Sequence, residues 1–373
     1  MDVEREMAGI GIPFAAGIAA GPALLSGGTV PLLPPALLQP FLLLATAAVA
    51  SLPRRLLSGR DFRLILGLLF FLAGLFCRLN TLQPALAFTP ANGPLTAAAL
   101  RAAARLKALI DAIPYPGAET GPLLHALLTG DRTALAPATV AVFRRSGASH
   151  ILALSGLHLG ILYLLLRRAT APLGNSIPAR RARSLLTVCA AGFYTLATGA
   201  SPSTQRAFTF ILLGETARNL GRERGAVAVL TASLTLQLAL HPGQLATPGF
   251  QLSYLAMTGI TLLYPPLAGL YPAATRPAAA RLDPVRRIWE AAALTIACQV
   301  FTAPVAWLHF HTFPKYFLLT NLLALPLTGI LMTVSVVTLL LSAAGCCPDL
   351  LVRANDLCAS LLLFCLETIA GMG

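Results

Sequence analysis

Ser155 and His158 lie three residues apart in SHILALSGLHLG, residues 149–160, inside an otherwise apolar stretch. On a helix three residues make nearly one turn, so hydroxyl and imidazole face the same side. Three readings are open. A serine–histidine dyad needs the imidazole within about 2.6–3.2 Å of the hydroxyl oxygen. A packed seam would use Gly156 and Gly160, small residues four apart, to let a second helix approach closely. The third reading makes both groups the lining of a hydrophilic path, with His150 just upstream.

Three further polar groups interrupt apolar segments. In TGASPSTQRAF, residues 198–208, Arg206 sits near the start of a span. An arginine at the bilayer centre costs about 2.5–3.5 kcal/mol on insertion scales, so it must face protein, water or the interface. Ser201, Ser203 and Thr204 precede it and can cap the helix. Arg206 either snorkels outward or offers its guanidinium to an anion such as phosphate. In TPGFQLSYLAMTG, residues 247–259, Gln251 and Ser253 open another span. In WLHFHTFPKYFLLTNLLALPL, residues 307–327, His309 and His311 flank Phe310, with Lys315, Tyr316 and Asn321 beyond. Two histidines without a nearby carboxylate are an incomplete metal site, and neither metal nor cofactor is expected. Aromatic rings among basic groups suit base stacking and phosphate contact. All four groups fall at the same ends of their spans, which points to one polar mouth. Rhomboid-type intramembrane proteases draw serine and histidine from different helices and carry glycine two before the serine; Ala153 stands there instead, so catalysis is the weaker reading.

The elements that carry these residues are membrane helices by composition. Of 373 residues 56% are hydrophobic and 11% charged, and the mean hydropathy is +0.75. A soluble domain is usually about 45–50% apolar. Runs of about 20 apolar residues read as spans. The expected fold is all-α, a polytopic membrane protein of about 11 transmembrane helices. The expected spans are 8–27, 33–52, 63–79, 149–166, 184–200, 204–220, 225–241, 248–266, 288–307, 316–344 and 350–371. The net charge of +13 does not by itself indicate nucleic acid. Arg54, Arg55, Arg60 and Arg63, then Arg167, Arg168, Arg180, Arg181 and Arg183, then Arg218, Arg222 and Arg224, then Arg276, Arg281, Arg286 and Arg287 fall on alternate loops. Such loops are cytoplasmic by the positive-inside rule, which places residues 80–148 and the turns at 241–248 and 308–315 outside.

Four segments follow: helices in 1–80, a short extracytoplasmic stretch at 81–121, a core at 122–345 and a last helix in 346–373. Residues 95–113 can form one helix. Residues 122–148 read as two short helices parted at Gly130 and Asp131, with Pro137 opening the second. They suit amphipathic helices at the outer interface, where Asp131, Arg132, Arg144 and Arg145 could order an entrance frame. Pro326 and Gly329 predict a broken helix at 316–344, a feature that marks the site in many transporters. The seven cysteines form no framework,.

ALLTGDRTALAPATVAVFRRSGASHILALSGLHLGIL, within residues 126–162, resembles the signature of the ComEC competence-protein family. The matching residues are Gly130-Asp131-Arg132, Phe143-Arg144, Gly147, His150, Ser155-Gly156-Leu157-His158 and Gly160. In the same order follow Ser203, Arg206-Ala207, Gly249-Phe250-Gln251-Leu252-Ser253 and Asn321-Leu322-Leu323-Ala324 with Pro326-Leu327. The resemblance covers about 210 residues and implies an inner-membrane channel, multi-pass, that imports single-stranded DNA during natural transformation. His150, Ser155, His158, Ser203, Arg206, Gln251, Ser253 and Asn321 would line its path. Longer members also carry an outer OB-type domain and a metallo-β-lactamase-like nuclease. Residues 81–121 are too short for the former, and His309-Phe310-His311 lacks the nuclease's following aspartate–histidine pair. The chain is therefore expected not to be an enzyme. Membrane lipids, a separate DNA receptor, a nuclease and a cytoplasmic ATPase are its implied partners. The alternatives are an intramembrane serine hydrolase using Ser155 and His158, and a small-solute transporter using the 316–344 helix.

Overall fold

Apolar segments deprived of water must close their backbone hydrogen bonds internally, and helices do this within one segment. The computed structural model describes residues 2–26, 59–81, 93–221, 225–272, 283–311 and 314–372, and every regular element among them is helical. The expected span at 33–52 and the loop arginines at 54, 55, 222, 224, 276 and 281 lie outside the described residues. Helices α1 (Asp2–Ser26) and α2 (Gly59–Thr81) form an N-terminal pair. Helix α3 (Pro94–Asp111) leads to three short helices, α4 (Thr120–Thr129), α5 (Pro137–Arg145) and α6 (Ser149–Leu152). Longer helices follow: α7 (Gly156–Ala169), α8 (Ile177–Ala197), α9 (Pro202–Asn219), α10 (Ala226–Leu240) and α11 (Pro248–Leu262). The chain closes with the short α12 (Tyr264–Ala268), then α13 (Pro284–Phe310), α14 (Phe317–Ala343) and α15 (Asp349–Gly371).

Two of these helices, α13 and α14, are long and apolar enough to cross a bilayer by length and composition. Shorter apolar runs lie at 8–20, 64–75 and 226–240. The expected eleven spans are not reproduced one for one. The 149–166 segment is not a single helix: α6 ends at Leu152, Ala153 is extended, and α7 begins after Ser155. Conversely, 316–344 is not broken, because α14 runs unbroken through Pro326. Neighbouring hydroxyls supplement its backbone bonds; Thr328 Oγ1 donates to the carbonyl of Ala324 at 2.7 Å.

The largest departure concerns α3 to α5. Of the two short helices, α5 keeps one exposed face, as expected of an amphipathic helix, but α4 does not lie on an outer surface. From Leu123 to Thr129 every residue of α4 is buried. Its leucines pack against Ala324, Leu331, Met332 and Leu339 of α14 and Ala359, Leu362 and Leu366 of α15. In α5 Phe143 and Val142 enter the same core while Val140 stays exposed. The segment also has depth. Ser146 accepts a 2.7 Å bond from Thr320 at the start of α14. Residues Ala112 to Pro116 share a cavity with Ser342, Cys347 and Asp349 at its other end. Thr320 and Ser342 are separated by about 33 Å of helix at 1.5 Å per residue. Residues 112–146 therefore run along the length of α14, with the buried α4 and the half-exposed α5 as successive pieces. Gly130 makes the break between them: it ends α4 at φ 79°, a conformation that costs glycine little.

Polar and backbone contacts fix the helix pairs. Asn355 on α15 accepts from Ser335 at 2.8 Å and donates to Thr338 at 2.6 Å, setting its register on α14. The expected close approach at Gly156 and Gly160 is absent: a Cβ on Gly156 would make an ordinary 3.6 Å contact and one on Gly160 none within 4 Å. The tight crossing is elsewhere. A Cβ on Gly74 of α2 would lie 2.0 Å from the Phe14 carbonyl oxygen of α1. Overpacking of this kind costs about 1–3 kcal/mol. Gly74→Val should lower the detergent melting midpoint by several degrees while Gly160→Ala leaves it unchanged; thermal melts of both variants check this.

Asp283 caps α13, accepting from the amides of Val285 and Arg286 at 3.0 and 3.1 Å and from Tyr271 Oη at 3.0 Å. The bond from the Arg286 amide and the others hold its carboxyl below the ordinary carboxylate range. The contribution of the cap is thus complete above the unfolded value near about 4 and is lost as pH falls through the folded one. Melting curves between pH 7 and pH 3 should show a shallower acid limb for Asp283→Asn than for the wild type.

Candidate functional site

The helix break before α7 positions Ser155. As N-cap its Oγ accepts from the Leu157 amide at 3.3 Å, while its own amide donates to His158 Nδ1 at 3.2 Å. The pair is a capping box with histidine where glutamate or glutamine is usual,. Ser155 and His158 thus do not project from adjacent turns of one helix, as their spacing suggests. Their side chains do meet, Oγ to Nδ1, at 3.1 Å. His158 is fully buried and its Nε2 has no partner.

This break is held from two sides. The carbonyl of Leu154 accepts from Ser203 Oγ on α9. A Cβ on Gly130 would lie 2.4 Å from Leu154 Cδ1, so the α4–α5 break sits against the α6–α7 break. Nearby, Tyr194 Oη donates to the Leu128 carbonyl at 2.8 Å.

Arg206 occupies the first turns of α9, whose N-cap Ser201 accepts from the Thr204 amide. It is 3% exposed. Its Nη2 donates to the Gly249 carbonyl at 2.9 Å, and its guanidinium carbon lies 5.8 Å from the Phe250 ring centroid. Among the described residues Nε and Nη1 have no partner, and no carboxylate bonds to the group. Three residues on, Thr209 receives a 3.4 Å bond from Gln237, whose Oε1 is likewise buried without a partner. Tyr254 and Ser233 bond at 2.9 Å beside Phe250. Gln251 Oε1 accepts from His309 Nε2 at 3.1 Å.

The four motif segments therefore converge. Leu154 meets Ser203, Arg206 meets Gly249, Gln251 meets His309, and Ser146 meets Thr320 beside Asn321, whose Oδ1 is buried without a partner. A Cβ on Gly147 would lie 2.6 Å from Pro314, closing the set. His150 bonds the nearby Gly147 carbonyl at 3.1 Å and lies close enough to His158 for the two rings to interact electrostatically. Ser253 is half-buried with no side-chain bond among the described residues.

The expected entrance frame is not one structure. Asp131 pairs with Lys107 of α3, not with Arg132, and accepts from the Thr133 hydroxyl at 2.6 Å. Arg132, Arg144 and Arg145 are exposed without side-chain partners among the described residues. Lys107 was not legible, since its acid lies 24 residues away across a helix end; its being one of two lysines in the chain is the sole sequence cue. Glu215 was also missed. Buried at 4%, it accepts from Tyr163, Arg167, Arg218 and Ser184 and ties α7, α8 and α9 together. A lone acid in an apolar helix is the signal that marks it. Among the described residues no cluster of three or more histidine, cysteine or acidic side chains is placed to hold a metal.

A family model described as competence protein matches residues 127–372, from α4 to α15. The ComE operon protein 3 of Bacillus subtilis (strain 168) is 27% identical over 220 residues, covering 57% of this chain and 25% of that protein. The chain thus spans about a quarter of that relative's length. No solved structure matches the chain.

Losing an N-cap serine costs about 1 kcal/mol. Ser155→Ala should therefore lower the melting midpoint, and Ser155→Asn, which can still cap, should restore most of it.

Proposed function

Because the chain belongs to the competence protein family, we propose that it forms the inner-membrane passage through which one DNA strand reaches the cytoplasm during natural transformation. The observation that carries this reading is Arg206: a buried guanidinium with two nitrogens unpaired, at the place where the family's segments converge. A phosphate is the group those donors fit, since it accepts several N–H bonds from one guanidinium. A charge held by a backbone carbonyl and an aromatic face, with no carboxylate, stays available to a moving anion. The unpaired Nε2 of His158 and the amide oxygens of Gln237 and Asn321 would supply weaker contacts along the same route. Such contacts let a strand slide, where a row of fixed cations would hold it.

On this reading the chain is multi-pass, crossing the membrane with α13 and α14 and with further helices that pack beside them. The close packing around Arg206 must part when the strand enters. The chain itself catalyses nothing. A DNA receptor, a nuclease that leaves one strand and a cytoplasmic ATPase would act with it as separate functions.

The Ser155–His158 contact of 3.1 Å keeps a hydrolase as the second reading. Its weakness is that both groups are engaged in the cap. The solute-transporter reading loses its support, because α14 is continuous.

Uptake of fluorescent DNA into the cytoplasm of cells lacking this gene should return with the wild type. Arg206→Ala should restore about a tenth of it or less at equal membrane abundance, consistent with loss of a charged hydrogen bond of about 1.5–3 kcal/mol. Normal uptake with Arg206→Ala would remove that residue from the path. Ser155→Asn keeps the cap and deletes the nucleophile. Normal uptake is expected from it, and loss of uptake in a normally melting variant would favour the hydrolase.

A further inference from the structure

At the arginine-rich end of α7, α8 and α9 lies a shallow surface cleft, lined by Arg167, Arg180, Arg183, Ser184, Glu215 and Arg218, with Thr187 at its side. Four guanidinium groups and one carboxylate line it, and two of the four, Arg167 and Arg218, pair with that carboxylate. Glu215 is already saturated: Tyr163 Oη donates to it at 2.6 Å, Arg167 at 3.2 Å, and Arg218 and Ser184 complete the set. Arg167 and Arg218 are thereby neutralised in part. Arg183 bonds only neutral oxygens, the Gly174 carbonyl at 3.1 Å and the Asn175 amide at 3.3 Å. Arg180 has no side-chain partner among the described residues and is exposed. The cleft therefore keeps an excess of positive charge, with the Arg180 donors free at its exposed rim.

Its surroundings are apolar. Ser184 and Thr187 face the cradle, while Leu185 and Leu186, between them in sequence, are 66% and 50% exposed. Leu164 on α7 is 54% exposed, Ile177 at the start of α8 60% and Leu220 after α9 62%. Fixed cations bordered by uncovered leucines complement a molecule with an anionic head and hydrocarbon tails. A nucleic acid would meet the cations but leave the leucines bare.

We infer that this cradle binds the phosphodiester headgroup of an anionic phospholipid, whose acyl chains lie along the exposed leucines of α7 and α8. The inference rests on the membrane placement proposed above but not on DNA passage. Arginine clusters at this side of a membrane attract anionic lipid, and the contact weakens with each cation removed.

The test uses the full chain purified in detergent and reconstituted into nanodiscs of phosphatidylcholine with increasing phosphatidylglycerol. Native mass spectrometry then counts retained lipid. The expected result is preferential retention of phosphatidylglycerol, reduced about ten-fold in an Arg180→Gln/Arg183→Gln double variant. Both proteins should melt alike in phosphatidylcholine alone. Should the double variant fold poorly, Arg180→Gln alone gives the comparison, since that side chain is unpaired. Retention of phosphatidylglycerol by the variants equal to wild type, or no preference over phosphatidylcholine, would overturn the inference. Displacement of the lipid by millimolar inorganic phosphate, with phosphate binding unaffected by Leu185→Ser/Leu186→Ser, would make it a free-anion site and overturn the lipid assignment. So would displacement by a single-stranded oligonucleotide. Carbonate washing of membranes separates the two levels: release of the chain would sink the membrane placement itself, whereas retention without lipid preference would sink this inference alone.

Discussion

A peptide group taken out of water must find a partner, and two helix breaks at the centre of this protein make that demand acute. The α4–α5 and α6–α7 breaks leave carbonyl groups that no helix turn can satisfy. Tyr194 and Ser203 donate to the carbonyls of Leu128 and Leu154, and Gly130 lies directly against Leu154. Irregular backbone is tolerated in an apolar setting only when protein covers it or water reaches it. Helices α8 and α9 take their places beside the breaks for that reason. Through α9 the same contacts set where Arg206 sits. Structural support and candidate path are thus one network.

The protein treats its buried charges in two opposite ways. Glu215 is enclosed by two arginines, a tyrosine and a serine, and separating them is costly because the carboxylate would be left buried and uncompensated,. That end of α7, α8 and α9 is held firmly. Arg206, in the same helix as Glu215, has a carbonyl and a ring face but no carboxylate. One end of α9 is electrostatically closed and the other is left open. Neutral contacts at Arg206 give position without cancelling charge.

Much of this was legible from residue types. Ser201 caps α9, Pro137 opens α5, and Gly130 ends α4 because each residue has a local backbone preference that needs no partner elsewhere. The motif segments also converge in the way their shared position at span ends suggested. What stayed hidden depends on distant partners. The burial of α4 comes from α14 and α15, some two hundred residues later, and a short apolar run reads the same beneath protein as beside lipid. The α7 cap was obscured because histidine stands where glutamate or glutamine is the familiar signal. Proline at 326 suggested a break that the surrounding apolar helix former residues override. The pairing of Lys107 with Asp131 follows only from the turn that brings α3 back against the α4–α5 loop.

The covering of α4 by α14 and α15 has a consequence for how the chain is made. Leu123, Leu124, Leu127 and Leu128 leave the ribosome long before the leucines and alanines that will enclose them. Neither α4 nor α5 is long enough to be threaded across a bilayer alone. During synthesis these leucines stay without their native cover until α14 and α15 have been made. Biogenesis therefore ends with a step that couples the first half of the protein to its final helices. A nascent chain interrupted before residue 317 would display an unfinished apolar surface to cellular quality control.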